Sequence, residues 1–287
     1  MSILEPLSAE LQEMLGVAPV ELVPLQGATS SDIYEIRAGD ARWVVRRFIP
    51  ERWEISAPKL SAREAHILTT LAGANLLAPG CIGTLEANGV VMQKVPGQVR
   101  LPRRPDANWI DELAQRLADI HASALELPYR YTSWNDQVGR PAPDWWTDSA
   151  LWQAAQVSLR RMPQEPWQLI HRDYHPVNVL WVGDRISGVV DWINACMGPS
   201  GVDVAHCRLN LALMYGMSAA DRFLRAYTRA RPGYRHHMRW DVEESLSTLP
   251  DVKPYPPWAA FGLDGLTTQR IRKRLVTFVR RAIERLS

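Results

Sequence analysis

The residues of this 287-residue chain best suited to chemistry are gathered in His171-Arg-Asp173-Tyr-His175-Pro-Val-Asn178-Val-Leu-Trp, followed by Val189-Val-Asp191-Trp. Asp173 and Asn178 are five positions apart, and Asp191 lies 13 further on. The flanking residues read as two short apolar strands, Val177–Val182 and Arg185–Trp192, around the turn signal Gly183-Asp184, which is a hairpin pattern. A hairpin returns its outer ends to one place. Asn178 and Asp191 are therefore expected as neighbours, with Asp173 one short loop away. Three polar groups at the end of an apolar hairpin cost desolvation unless they meet partners. Asn178 and Asp191 offer the hard oxygen ligands that Mg²⁺ takes while keeping room for phosphate and water. Asp173 then remains to accept the proton of an attacking hydroxyl. Such a set suits phosphoryl transfer from a nucleotide.

The elements that must position these groups fall into two kinds. The first third alternates strands and turns: Glu21–Leu25, the small-residue loop Gln26-Gly27-Ala-Thr-Ser30-Ser31, Asp32–Arg37, the turn at Gly39, and Arg42–Phe48. A short helix before it is expected to be capped by Ser8 and to run to Leu15. A helix follows over Ser61–Ala72, then a strand over Val90–Val95 that Pro96-Gly97 breaks. Beyond that point the chain is mainly helical: 108–124, about 147–161, 202–214, 219–230 and 263–286, with an irregular stretch from Pro232 to Gly262. This predicts an α+β chain with a β-rich part over residues 1–95, a connection near 93–98, and a helical part over 98–287. Ligands commonly bind in the cleft between two such parts, and the three site residues are expected to face it.

His171-x-Asp173-x-x-x-x-Asn178 with the downstream Asp191 resembles the catalytic signature of the bilobal protein-kinase-like fold. His-Pro-x-Asn and Asp-Trp in place of Asp-Phe-Gly resemble its small-molecule branch, which includes aminoglycoside phosphotransferases, choline kinases, homoserine kinases and fructosamine kinases. Gly198-Pro-Ser-Gly-Val-Asp203 also resembles that branch, where an Asp before a helix braces the catalytic loop. The resemblance implies Asp173 as catalytic base, His171 as a support for the loop, and Asn178 and Asp191 as Mg²⁺ ligands. It implies ATP or GTP as co-substrate and a hydroxyl of a small molecule as acceptor. A nucleotide-binding pseudokinase scaffold and a fructosamine-kinase-like enzyme are the alternatives. The dozen residues from Asp191 to Asp203 leave no room for the long activation segment of protein kinases.

A kinase-like first part also needs a phosphate-covering loop, a cation and an acid that holds the cation. The loop candidate is Gly27 to Ser30, which an ordinary turn explains equally simply. The strand Trp43-Val-Val-Arg46-Arg47-Phe48 has arginine where the family's pattern has lysine. Arg46 is the candidate cation, and Arg47 falls on the other face. Glu64 shares a helical face with Leu68 and Leu71, and a charge on an apolar stripe needs a partner; a solvated surface Glu is its other reading. Adenine would meet backbone groups near Gln93 and Val95.

Composition narrows the rest. Lys+Arg 33 against Asp+Glu 31 is too balanced to favour nucleic acid. No apolar run is long enough to span a bilayer. Three cysteines without a CxxC pair suggest neither zinc nor disulfides, and with no signal-peptide pattern at the start they point to the cytoplasm. The rings of Trp134, Trp145, Trp146, Tyr255 and Trp258 read as cover for a core more simply than as a ligand surface. Asp241-Val-Glu-Glu244 reads as an acidic helix start before it reads as a site for a cationic substrate. The last helix carries seven Lys/Arg against Asp264 and Glu284, and its basic side reads as a solvated face. Oligomeric state is not legible.

Overall fold

A computed structural model describes residues 4–17, 21–27, 31–49, 56–86, 88–134 and 137–286. It divides into two compact units. One comprises residues 1–98 with 180–182 and 187–193, and the other comprises 99–179, 183–186 and 194–287.

The first unit is built on a five-stranded antiparallel sheet in the order β1-β2-β3-β5-β4. The strands are β1 (Glu21–Pro24), β2 (Ser31–Ala38), β3 (Ala41–Phe48), β4 (Cys81–Leu85) and β5 (Gly89–Gln93). Gly39, at φ +57°, makes the tight reversal that pairs Ala38 with Ala41. Ile36, Val45, Leu85 and Val91 form a core with Leu7 and Leu11 of helix α1 (Leu4–Leu15). Leu7 and Leu11 are four residues apart, hence on one side of the helix. Ser8 does not cap α1, because the helix starts four residues earlier; its hydroxyl accepts from Gln12 Nε2 instead. Helix α2 (Ala57–Leu71) also begins before the expected Ser61, with Pro58 in its first turn, a position where a missing N–H is harmless. Its buried stripe includes Leu60, Glu64, Ile67, Leu68 and Leu71. β4 was not expected, because Cys81-Ile-Gly-Thr-Leu85 does not alternate apolar with polar residues although its burial does.

The second unit is mainly helical. Asp106 caps α3 (Ala107–Ala122) by accepting from Trp109 N at 2.8 Å, and Asp148 caps α4 (Ser149–Leu159) by accepting from Leu151 N at 2.9 Å. The pair that frames the chemistry-bearing loop is β7 (Trp167–Ile170) with β10 (Cys196–Pro199), antiparallel. The segments 180–182 and 187–193, counted with the first unit, carry most of β8 (Val179–Val182) and β9 (Arg185–Val189), a hairpin that forms a three-stranded sheet with the short strand β6 (Gln98–Val99). The expected strand over Val177–Val182 is half correct, since Pro176–Asn178 form a 3₁₀ turn and pairing starts only at Val179. Proline fixes φ and cannot donate to a ladder, which accounts for the turn.

The centre of this unit is α5 (Ser200–Tyr215), buried over most of its length, as expected of a helix surrounded by others. It packs against α6 (Met217–Ala230), α7 (Arg239–Ser247) and α9 (Thr268–Glu284). The stretch from Pro232 to Gly262 that had no legible pattern contains α7 and the short α8 (Pro256–Ala260). Gly201 lets α7 approach α5: a Cβ there would lie 2.2 Å from Cδ1 of Trp240. The basic side of α9 is not simply solvated. Arg274 donates to the carbonyls of Leu213 and Met214 at the end of α5, Arg280 pairs with Asp148, and Arg281 with Asp221. Trp146 and Trp258 are buried, while Trp134 is about half exposed.

Candidate active site

In the helical unit the site begins where β7 ends. His171 is fully buried, and its Nδ1 accepts from the Asp173 N–H at 3.3 Å. Arg172 has φ +77°, a left-handed conformation rare outside glycine and typical of strained functional loops. What holds that strain is Asp203, in the first turn of α5. Its two carboxylate oxygens accept from the N–H groups of His171 and Arg172, both at 2.7 Å, and Oδ2 also lies 3.1 Å from His121 Nε2. Burial alone would raise the Asp203 pKa, but the hydrogen bond and charge of His121, with His171 and its N–H, bring it below the ordinary value. The Arg172 guanidinium donates to Thr132 O and lies over the rings of Trp134 and Tyr131, 4.0 and 4.4 Å from their centroids.

Asp173 follows, with its two oxygens in different company. Asn178 Nδ2 donates to Oδ2 at 3.2 Å and to the Asp173 carbonyl at 2.9 Å. Oδ1 faces His206 Nε2 at 3.1 Å and His175 Nε2 at 3.7 Å. His206 in turn places Nδ1 2.6 Å from Oε1 of Glu244 on α7. Burial of Asp173 works toward a higher pKa, yet the His206 hydrogen bond and the neighbouring imidazoles hold it well below the usual carboxylate range. For His206, burial works against the charged form, and Glu244 and Asp173 overcome it, raising the pKa from 6.5 to about 10. A cavity of about 260 Å³ is lined by Asp173, His175, His206, Glu244, Tyr255 and Trp258 among others.

The sheet unit holds the other predicted residues. Arg46 is 4% exposed. Its Nε donates to Ser31 Oγ at 3.0 Å, and Nη1 donates to Glu64 Oε1 at 2.9 Å and Asp191 Oδ1 at 2.7 Å. Burial opposes the guanidinium charge, and the carboxylates of Asp191 and Glu64 overcome it and push the Arg46 pKa still higher. Arg46, not Arg47, therefore carries this contact. Glu64 takes the paired reading, not the solvated one. Asp191 has φ +66°, a second left-handed non-glycine residue, just after β9. Trp192 Nε1 fixes the turn by donating to Val189 O at 2.7 Å.

Gly27, with φ +99°, follows β1, and Ser30 lies outside the described residues. Gln93 is exposed at the end of β5, where its N–H donates to Gly80 O at 2.8 Å. Val95 packs against Gly188, where a Cβ would come within 2.4 Å of it. Sequence reasoning missed His206 and His121, and it read Glu244 as part of an acidic helix start, not as a partner of His206. His206 is one helical turn beyond Asp203 and so on the same side of α5, which is the one local signal it carries. Glu244 joins it only through the packing of α7 on α5.

Among curated proteins, the homoserine kinase of Parvibaculum lavamentivorans (strain DS-1) is 30% identical over 147 residues, 45% of this chain and 46% of that protein. The chain thus spans about half the length of the curated relatives it matches. Among solved structures, choline kinase LicA from Streptococcus pneumoniae aligns with a TM-score of 0.62 at 18% identity, covering 96% of this chain and 100% of that one. A thermostable mutant of aminoglycoside phosphotransferase APH(4)-Ia, in ternary complex with ADP and hygromycin B, aligns with a TM-score of 0.60 at 17% identity, covering 95% and 98%. These likenesses establish the protein-kinase-like α+β fold expected from the motifs. The phosphotransferase enzyme family (APH) matches residues 21–239, three quarters of the chain, and the chain belongs to that family.

Proposed function

We propose that the protein transfers the γ-phosphoryl group of ATP to a hydroxyl of a compact small molecule. The observation that carries this reading is the Asp173 carboxylate, anchored at one oxygen by Asn178 and lining a cavity. Asp173 would orient the acceptor hydroxyl and take its proton as the phosphorus–oxygen bond forms, with ADP leaving. A carboxylate with so depressed a pKa is a weak base, which suits a loose transition state in which the proton moves late.

As magnesium ligands this reading proposes Asn178 and Asp191, each by its own surroundings. Asn178 gives its amide nitrogen to Asp173 and keeps its oxygen for a cation, and Asp191 gives one oxygen to Arg46 and keeps the other. When bound, Mg²⁺ would draw off phosphate charge. Arg46 would supply a permanent cation for the phosphates. Its planar fork is already fixed by Ser31 and Glu64, so little ordering is lost on binding. Gly27, Ser30, Gln93 and Val95 remain the proposed nucleotide contacts, and His171 the loop support. ADP in the ternary complex of the APH(4)-Ia mutant supports an adenine nucleotide. Three free cysteines suit a reducing compartment, the cytoplasm; no described helix is long and apolar enough to cross a membrane.

The cavity of about 260 Å³ lies below the range of roughly 300–1,000 Å³ typical of drug-sized ligands. It favours an acceptor of homoserine size over a multi-ring aminoglycoside. The test is nucleotide consumption against a panel of hydroxy amino acids, amino alcohols, monosaccharides and aminoglycosides, with Asp173→Ala alongside. We expect turnover with a compact acceptor and a loss of about 10²–10⁴-fold in the variant. Full turnover in Asp173→Ala would remove the base assignment.

A further inference from the structure

We propose that Asp173 Oδ1, His175 Nε2 and His206 Nε2 form a binding site for a zinc-class divalent cation, and that its occupancy switches the acceptor side of the protein off. The three ligand atoms lie within 4.8 Å of one another. The Asp173–His206 and Asp173–His175 separations are 3.1 and 3.7 Å. Ligands about 2.1 Å from a tetrahedral zinc are about 3.4 Å apart, so these separations bracket the expected edge. The two imidazoles meet edge to face, with centroids 5.5 Å apart.

The tautomer of His206 gives a separate argument. Its Nδ1 lies 2.6 Å from a Glu244 carboxylate oxygen, which accepts and cannot donate, so Nδ1 carries the hydrogen. Nε2 then faces a second carboxylate oxygen, that of Asp173. Nε2 also lies 3.3 Å from Asn210 Nδ2, and its 3.1 Å approach to the Asp173 oxygen becomes attractive when a proton or a metal ion sits on Nε2. The His206–Glu244 contact is also the outer carboxylate that zinc-bound histidines commonly have, which fixes the ring and raises its basicity. Asp173 Oδ2 is held by Asn178, which leaves Oδ1 turned to the two rings. Three protein ligands and a cavity on the open side give the donor set of a zinc site with one exchangeable position. Two imidazoles and one carboxylate suit zinc, cobalt or nickel and not magnesium, which prefers oxygen. On binding, the metal replaces the Nε2 proton, which leaves to solvent, and no bond is otherwise broken.

The site itself stands on this geometry alone. Its consequence rests on the phosphotransfer reading: a metal on Oδ1 occupies the group that would receive the acceptor's hydroxyl. The experiment uses the full chain without nucleotide, titrated with Zn²⁺ by calorimetry and with Co²⁺ followed by its visible d–d absorption, each with and without excess Mg²⁺. We expect one equivalent bound, visible cobalt bands of a low-coordinate site, and no displacement by Mg²⁺. Both signals should be lost in His175→Ala/His206→Ala. Glu244→Gln, which keeps all three ligands, should retain binding with affinity lower by about 10–100-fold. Circular dichroism of each variant separates lost binding from lost folding. Failure of the wild-type protein to bind either ion, or binding that persists in the double variant, overturns the site. Metal binding in a protein that shows no phosphotransfer with any acceptor would keep the site and remove only the phosphotransfer reading. Metal binding without inhibition in an active protein would overturn the switch.

Discussion

Among the candidate site residues, each unit places a cation between two acids, and the two arrangements differ in a way that matters. In the sheet unit Arg46 stands between Glu64 and Asp191. In the helical unit His206 stands between Asp173 and Glu244. A guanidinium does not give up its proton in a protein, so the first trio is a fixed charge. An imidazole does, so the second trio is held together by a proton that pH or a metal can remove. The chain uses a permanent cation where phosphate charge would be met and an exchangeable one beside the proposed base.

The comparison can be broken most strongly from the Arg46 side. Arg46→Ala leaves the buried Glu64 and the partly exposed Asp191 without their cation and is expected to cost about 3 kcal/mol, read as a fall in the denaturant midpoint. Arg46→Lys keeps the charge but loses the fork to Ser31 and should recover part of that loss. A cost below about 1 kcal/mol for Arg46→Ala would show that this trio is solvated.

The second prediction concerns the exchangeable proton. The folded pKa of His206 is raised from 6.5 to about 10, so its contribution is complete below 6.5 and is lost as pH rises through 10. Stability should fall across that window by an amount on the order of 3 kcal/mol. His206→Gln should remove the pH-dependent part. A third, smaller effect is expected at the loop brace. Asp203→Asn retains shape but turns an amide toward two N–H donors, and should cost about 2 kcal/mol in thermal or chemical unfolding. The smallest effect is expected for Arg280→Ala. This arginine is half exposed and pairs with Asp148, and its loss should shift stability by no more than about 0.5 kcal/mol.

The parts of the fold that were legible are those set by local pattern. The β2–β3 hairpin announces itself in Gly39-Asp40, and α3 in its apolar period after Asp106. The candidates Asp173, Asn178, Asp191 and Arg46 stand out because their spacing along the chain resembles a family's, and the buried ion pair of Glu64 was legible because a lone acid sits on an apolar stripe. His206 and Glu244 were not, because their meaning arises from contacts across 33 and 38 positions, which no local pattern encodes. The same reason hides β10, which forms only against β7. The early start of α1 escaped notice because a serine inside a helix looks like a cap until the preceding turn is known.

The bare Cα of Gly201 reaches further than its size suggests. Because the Trp240 indole rests where a methyl group would be, the spacing between two helices is set by one missing carbon atom. An alanine at that position would wedge the neighbouring helix outward and withdraw the carboxylate four residues past the indole from its imidazole. A substitution that touches no reacting group would thereby loosen the proposed base.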